Sequence, residues 1–133
     1  MAVVLDATAM IAYARGEEGT DFVERFLLDD HQICVAHAIN VCELFYDSLR
    51  STDEATASAV IADFLANGLM IYEDLDFEFW KTIGRYKVQY KISLADCCGL
   101  ALSNRLQADF ITADHHEMDP LVNSGICRIN FIR

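Results

Sequence analysis

One proline, Pro120, and only six glycines in 133 residues leave little from which to build a linker. No Gly/Ser-rich stretch, repeat or low-complexity segment interrupts the chain, which reads as one continuous domain over residues 1–133. Long apolar runs are missing as well. Stretches such as Gly99 to Leu102 fall far short of the roughly 18 residues that span a bilayer, so no membrane contact is expected. The opening Met1 to Leu5 has no basic segment and leads straight into Asp6, so no secretory signal is expected, and the chain reads as soluble and cytoplasmic.

Positive charge is scarce: 10 Lys and Arg stand against 21 Asp and Glu, a net charge of −11. A uniformly basic nucleic-acid binder is therefore excluded, because phosphate attraction needs a basic face. The basic residues are nevertheless clustered. Lys81, Arg85, Lys87 and Lys91 share a stretch with no acid between Glu78 and Asp96, interleaved with Trp80, Tyr86 and Tyr90. This is the stretch best suited to nucleic-acid contact, although helical aromatics more often pack in a core and such charges often only solvate an outer face. Divalent ions bound among the acids would reduce the repulsion, and a basic protein partner is the other natural consequence of the charge.

The five cysteines (Cys34, Cys42, Cys97, Cys98, Cys127) are odd in number and contain no C-x-x-C pair. They read as reduced thiols packed among apolar neighbours. Cys97 and Cys98, being adjacent, point to different sides of a helix and do not suit one tetrahedral metal. His115 and His116 are adjacent but lack helical ligand spacing, so they read as loop or surface residues.

At 53% hydrophobic, the chain can bury an ordinary core. Strand-length β-branched or apolar runs occur at Val3–Leu5, Ile33–Ala36, Leu69–Tyr72, Phe110–Thr112 and Ile126–Phe131. Helical patterns fall between them at Thr8–Ala14, Thr20–Leu28, Ala38–Leu49, Asp53–Ala66, Phe77–Tyr90 and Leu94–Leu106. Strands joined by crossover helices make a mainly parallel sheet with helices on both faces. Ligands in such sheets bind beyond the carboxyl ends of the strands, so polar residues just after strands carry the most information.

Four acids stand out on that rule. Asp6 follows the opening strand and precedes a helix, where an N-cap explains it equally well. Asp114 closes Phe110-Ile111-Thr112-Ala113-Asp114, and Glu117 three residues later gives it capping-box spacing. Asp96, in Ser93-Leu94-Ala95-Asp96, also fits a capping box, yet an acid in a first helical turn is held ionised and ready for a cation. Glu43 is harder to explain by capping, because it lies inside Ile39-Asn40-Val41-Cys42-Glu43-Leu44-Phe45-Tyr46 with no Lys or Arg three or four residues away. A polar stripe of Asn40, Glu43 and Asp47 leaves a solvent-facing alternative open. Like charges about 4 Å apart cost about 4 kcal/mol at an effective dielectric of 20, so four such groups gather only around cations. Oxygen-only donors select Mg²⁺ or Mn²⁺ over Zn²⁺.

The segments Val4-Leu5-Asp6-Ala7-Thr8, Asn40-Val41-Cys42-Glu43-Leu44, Ser93-Leu94-Ala95-Asp96 and Thr112-Ala113-Asp114, in this order, resemble the PIN domain, and in particular the VapC-type toxins of toxin–antitoxin pairs. The resemblance implies a three-layer α/β/α sandwich with a mainly parallel sheet of about five strands, its first strand central and the fourth beside it. It implies a metal-dependent endoribonuclease in which Asp6, Glu43, Asp96 and Asp114 hold Mg²⁺ or Mn²⁺. Thr8, Thr112, Asn40 and Glu117 would support the ligands, and Asp119 would be an outer acid. The expected partners are an RNA substrate, a cognate antitoxin whose basic or aromatic tail blocks the site, and a second copy of the chain, with DNA met only through the antitoxin. The helical region Thr20 to Ala66 suits the dimer and antitoxin contacts. Two departures are visible: Ala7-Thr8 replaces the pair of hydroxyl residues common in relatives, and Cys97-Cys98-Gly99 replaces a small aliphatic run. Gly99 costs a helix about 1 kcal/mol, which points to close backbone packing there. A competing class is a PIN-like binding module that cleaves nothing, which need not gain stability from Mn²⁺. A receiver- or phosphatase-type phosphoryl-transfer domain ranks lower, because no Lys follows the later strands.

Overall fold

The structure, a computed structural model, describes residues 1–133. Five parallel strands form one sheet in the order β3-β2-β1-β4-β5, with β1 (Ala2–Leu5) at its centre, flanked by β2 (Ile33–His37) and β4 (Asp109–Thr112). β3 (Met70–Tyr72) and β5 (Ile129–Phe131) form the edges. The helices are α1 (Ala7–Arg15), α2 (Thr20–Leu28), α3 (Ala38–Ser51), α4 (Glu54–Ala66), α5 (Phe77–Gln89), α6 (Leu94–Leu106) and the short α7 (His115–Met118). This is the three-layer α/β/α sandwich that the alternation of strand and helix patterns implies, and none of its helices is long and apolar enough to cross a membrane.

Because successive strand residues point to opposite faces, each central strand feeds two cores. Val4, Val35 and Phe110 face a cluster with Phe79 and Ile83 of α5 and Leu100 and Leu102 of α6. Val3, Leu5 and Ile111 face a second cluster with Met10 of α1, Val23 of α2, Leu44 of α3 and Phe64 of α4. Burial on both sides explains why the strands read as unbroken apolar runs.

Register places the carboxyl ends of β1 and β4 side by side, with Leu5 opposite Ile111, so Asp6 and the Thr112–Asp114 corner emerge together. Gly99 of α6 serves this arrangement. A Cβ there would lie 2.8 Å from Phe110 Cε1 and 3.0 Å from Asn40 Oδ1, so the missing side chain lets α6 approach both β4 and α3.

Several boundaries depart from the sequence pattern, and three of them have a visible cause. The last strand pairs only from Ile129, because the Asn104 side chain donates to the Ile126 carbonyl at 2.7 Å and holds the preceding residues as a loop. Leu69 donates its N–H to Phe64 O at 3.0 Å, which ends α4, and does not start β3. Asp53 caps α4 by accepting from Thr56 N–H at 2.7 Å, so the helix starts at Glu54. The cysteines are all free, but Cys42 is exposed and so corrects the expectation that each is packed in apolar surroundings.

Candidate functional site

Asp6 is fixed by the turn from β1 into α1. Its backbone is extended, and it caps the helix by accepting Ala9 N–H on Oδ1 at 2.9 Å. The same oxygen accepts from Thr8 Oγ1 at 2.7 Å, while Oδ2 accepts from Thr112 Oγ1 at 2.5 Å. The two threonines are locked in turn: Thr8 Oγ1 accepts Ala113 N–H at 2.9 Å and Thr112 Oγ1 accepts Asp114 N–H at 3.0 Å. These bonds bind the β1 and β4 corners into one unit across more than a hundred residues. Asp6 is only 1% exposed. Burial pushes its carboxyl up to about 7, against the three hydrogen bonds, which favour the ionised form, and Asp96 raises it further.

Asp114 follows β4 and caps α7, its Oδ1 accepting Glu117 N–H at 3.0 Å. Glu117 thus serves Asp114 through its backbone. Asp96 lies in the first turn of α6, whose N-cap Ser93 accepts Asp96 N–H at 3.0 Å. Burial pushes Asp96 up to about 6; Ser93 lowers it, and repulsion from Asp114 and then Glu43 raises it.

Glu43, on α3, is half-buried and not turned wholly to solvent. Burial raises its carboxyl, and hydrogen bonds from Asn40 and Tyr46 work in the opposite direction. Asn40 links this helix to the next acid: it is fully buried, and its Nδ2 reaches both Glu43 Oε1 at 3.3 Å and the Ala95 carbonyl at 3.2 Å. The Ala95 contact holds Glu43 beside the turn that carries Asp96. Asn40 Oδ1 is buried without a partner.

The chain therefore brings Asp6, Glu43, Asp96 and Asp114 within electrostatic reach of one another, with Asp96 coupled to the other three. It does not draw them into one ligating shell, since no group of three or more His, Cys, Asp or Glu side chains stands in a geometry that could hold a metal ion. The donor set still fits a hard divalent cation. All four groups offer only oxygen, no cation of the chain is among the causes that shift Asp6, Glu43 or Asp96, and Mg²⁺ keeps several waters while taking one or two carboxylates directly.

The basic run divides. Lys87 Nζ donates to the Ile92 carbonyl at 2.6 Å, Arg85 donates to Thr82 Oγ1 at 3.1 Å, and Lys81 sits 4.8 Å over the Phe77 ring. Lys91 makes no such contact and lines a cavity with His116 and Glu117. Trp80 is 49% exposed and meets Phe77, 60% exposed, edge to face, while Tyr86 and Tyr90 are partly buried. His115 is engaged at the surface: its ring bonds Asp119 Oδ1 and Arg133 O, both at 2.8 Å, and stacks on Phe131.

His37 escaped the sequence reading. It ends β2, is fully buried, caps α3 by accepting Ile39 N–H on Nδ1 at 3.1 Å, and bonds Asp74 O through Nε2 at 2.9 Å. The rule that singled out Asp6, a polar residue at the carboxyl end of an apolar strand, would have found it.

The PIN domain family model matches residues 3–119. The chain belongs to the PIN-domain family. No curated protein matches its sequence, but solved structures match its fold over nearly full length. The VapBC2 complex of Rickettsia felis, bound to a promoter DNA fragment, shares 14% identity at a TM-score of 0.76, with 98% of each chain covered. DNA-bound VapBC from Salmonella typhimurium shares 16% at 0.74, covering 100% of this chain and 99% of that one. VapC20 of Mycobacterium tuberculosis, a toxin that cleaves the sarcin-ricin loop, shares 12% at 0.71, covering 89% and 94%. This PIN domain thus has the fold seen in toxin–antitoxin structures.

Proposed function

We propose that this PIN domain is a Mg²⁺- or Mn²⁺-dependent endoribonuclease and the toxin of a toxin–antitoxin pair. The observation that carries the reading is the gathering of Asp6, Glu43, Asp96 and Asp114 at the carboxyl edge of a parallel sheet, where burial first, and repulsion from neighbouring acids second, raises Asp6 to about 7 and Asp96 to about 6. Buried, unpaired carboxylates of this kind mark functional sites more often than structural ones.

In this reading the four acids hold the ion. When bound, it supplies Lewis acidity toward a phosphodiester oxygen and toward the water that attacks phosphorus. The chain's own contribution is preorganisation. Thr8, Thr112 and the Ala9 N–H fix both oxygens of Asp6, the Glu117 N–H fixes Asp114, and Asn40 fixes Glu43. Hydrolysis leaving 5′-phosphate and 3′-hydroxyl ends follows from the family.

The antitoxin would seat on the helical face formed by α1, α2 and α4. A cavity of about 530 Å³ between α1, α2 and α4 is floored by Tyr13, Val60 and Phe64 and rimmed by Glu24 and Asp63, which suits a segment with apolar and basic side chains. A homodimer, cytoplasmic location and contact with DNA through the antitoxin belong to the same proposal.

Incubating the protein with total RNA in Mn²⁺, Mg²⁺ or chelator and mapping the cut ends tests it. Discrete cuts with either ion, none in chelator and none by Asp96→Asn are expected; intact RNA in every wild-type reaction would refute it. The alternative of a silent binding module draws on the unassembled carboxylates. That alternative predicts no Mn²⁺-dependent rise in melting temperature.

A further inference from the structure

A cavity of about 420 Å³ lies beside the carboxylates, between the turn that joins α5 to α6 and the start of α7. Its size falls within the range of small-ligand sites. Buried Ile92 and Leu121 give it an apolar floor, and partly buried Tyr90 adds an aromatic wall. Both neighbouring segments hold acids of the site: Glu117 donates its backbone N–H to Asp114, and Ser93, two residues after Lys91, receives Asp96 N–H.

The polar side chains around it are unspent. Arg15, Arg105, Arg128, Arg133 and His115 all have acid partners, and the other basic residues of α5 are engaged as described. Gln89, Lys91, His116 and Glu117 line this one cavity, and none of their side chains forms an intramolecular hydrogen bond or ion pair. Four free polar groups over an apolar floor, next to an acidic centre, have the composition of a ligand site.

The geometry points to a subsite for a guanine base of the RNA, next to the phosphate that the carboxylates engage. This rests on the ribonuclease reading. The Glu117 carboxylate only accepts hydrogen bonds and has two oxygens. Guanine is the base whose Watson–Crick edge presents two adjacent donors, N1–H and N2–H₂, with the O6 carbonyl beside them for a donor such as Gln89 or His116. Adenine and cytosine offer one amino group beside an acceptor, and uracil one N–H between two carbonyls, so each would leave a carboxylate oxygen facing a lone pair. Tyr90, in the cavity wall, would supply an aromatic ring against which a base can pack, and Lys91 a single cation for the adjoining phosphate.

The test pairs a binding readout with cut-site mapping. Guanosine 5′-monophosphate and adenosine 5′-monophosphate are titrated into the Mg²⁺-supplemented protein and followed by NMR, with sites of cleavage mapped on total RNA. The guanine nucleotide should shift resonances of Tyr90, His116 and Glu117 and bind at least tenfold tighter than the adenine nucleotide. Glu117→Gln, which keeps the backbone N–H to Asp114, should cut that ratio to threefold or less. Tyr90→Ala should weaken both nucleotides about fivefold or more. Cuts by the wild type should carry guanine at one fixed flanking position, and Glu117→Gln should relax that bias. Equal binding of the two nucleotides, an unchanged ratio in Glu117→Gln, or cuts with no guanine bias would overturn the subsite while leaving the nuclease intact. Guanine-selective binding without any cleavage would instead count against the nuclease and support the subsite.

Discussion

Replacing Asp6 by Asn should stabilise the ion-free protein at neutral and alkaline pH while removing a ligand. Asp6 is buried, and its folded-state carboxyl is pushed from an ordinary 3.8 up to about 7. The folded chain therefore holds this proton more tightly than the unfolded chain. Stability is fully present below the ordinary value, declines as pH rises through the window from 3.8 to about 7, and is level above it. At about 1.4 kcal/mol per pH unit, the whole loss is on the order of 4 kcal/mol. Roughly 2–3 kcal/mol of it falls between about pH 5 and pH 8. Asparagine escapes this loss, and the surrounding bonds can accommodate it. Its Oδ1 would keep Ala9 N–H and the Thr8 hydroxyl, its Nδ2 would donate to Thr112 Oγ1, and Thr112 would turn its own proton to Thr8 Oγ1, 3.2 Å away. Urea unfolding of both proteins in EDTA measures the effect. Asp96 and Glu43 also carry raised carboxyls, but they titrate in both proteins, so the difference between the two curves reports Asp6 together with the smaller repulsion it shares with Asp96. The variant's advantage should grow by about 2–3 kcal/mol from pH 5 to pH 8. Parallel curves, or a variant less stable than the wild type at pH 8, would refute the argument.

Gly99→Ala places a methyl 2.8 Å from Phe110 and 3.0 Å from Asn40; overpacking of about 1–3 kcal/mol should exceed the helix-propensity gain of about 1 kcal/mol, giving a lower urea midpoint and weaker stabilisation by Mn²⁺. Arg105 bonds Asp76 and holds its carboxyl down to about 2. The resulting stability is present above the ordinary carboxylate range and is lost as pH falls through about 2, so an NMR titration should find Asp76 back near ordinary values in Arg105→Gln and the wild type less acid-resistant without its arginine. Iodoacetamide labelling read by mass spectrometry should modify exposed Cys42 before buried Cys34, Cys97 and Cys98, and early loss of the Cys98 thiol, which burial pushes up to about 11, would contradict the packing of α6.

Most of the fold was legible because burial on both faces writes β1, β2 and β4 as apolar runs, and α2 and α6 begin and end where their patterns do. The edges were less so. Ile126 to Arg128 has strand composition but is claimed by Asn104, a contact 22 residues away that no local pattern encodes. At the site, residue types at strand ends marked Asp6 and Asp114, yet the Thr112 to Asp6 bond spans 106 positions and emerges only when β1 and β4 pair. Asn40 falls on a polar stripe by pattern and supports the ligands by resemblance, but neither shows its burial against α6, which makes it the tie between Glu43 and the Asp96 turn. The basic run looked uniform because spacing does not reveal that Lys87 is spent on the Ile92 carbonyl while Lys91 is free.

Titrating Mn²⁺ into the chelator-stripped protein by calorimetry addresses the shared ion most directly. The wild type should bind saturably, and binding should be lost in both Asp6→Asn and Asp96→Asn, although those side chains lie ninety positions apart in the chain. No heat in the wild type, or binding that survives both substitutions, would contradict a shared ion.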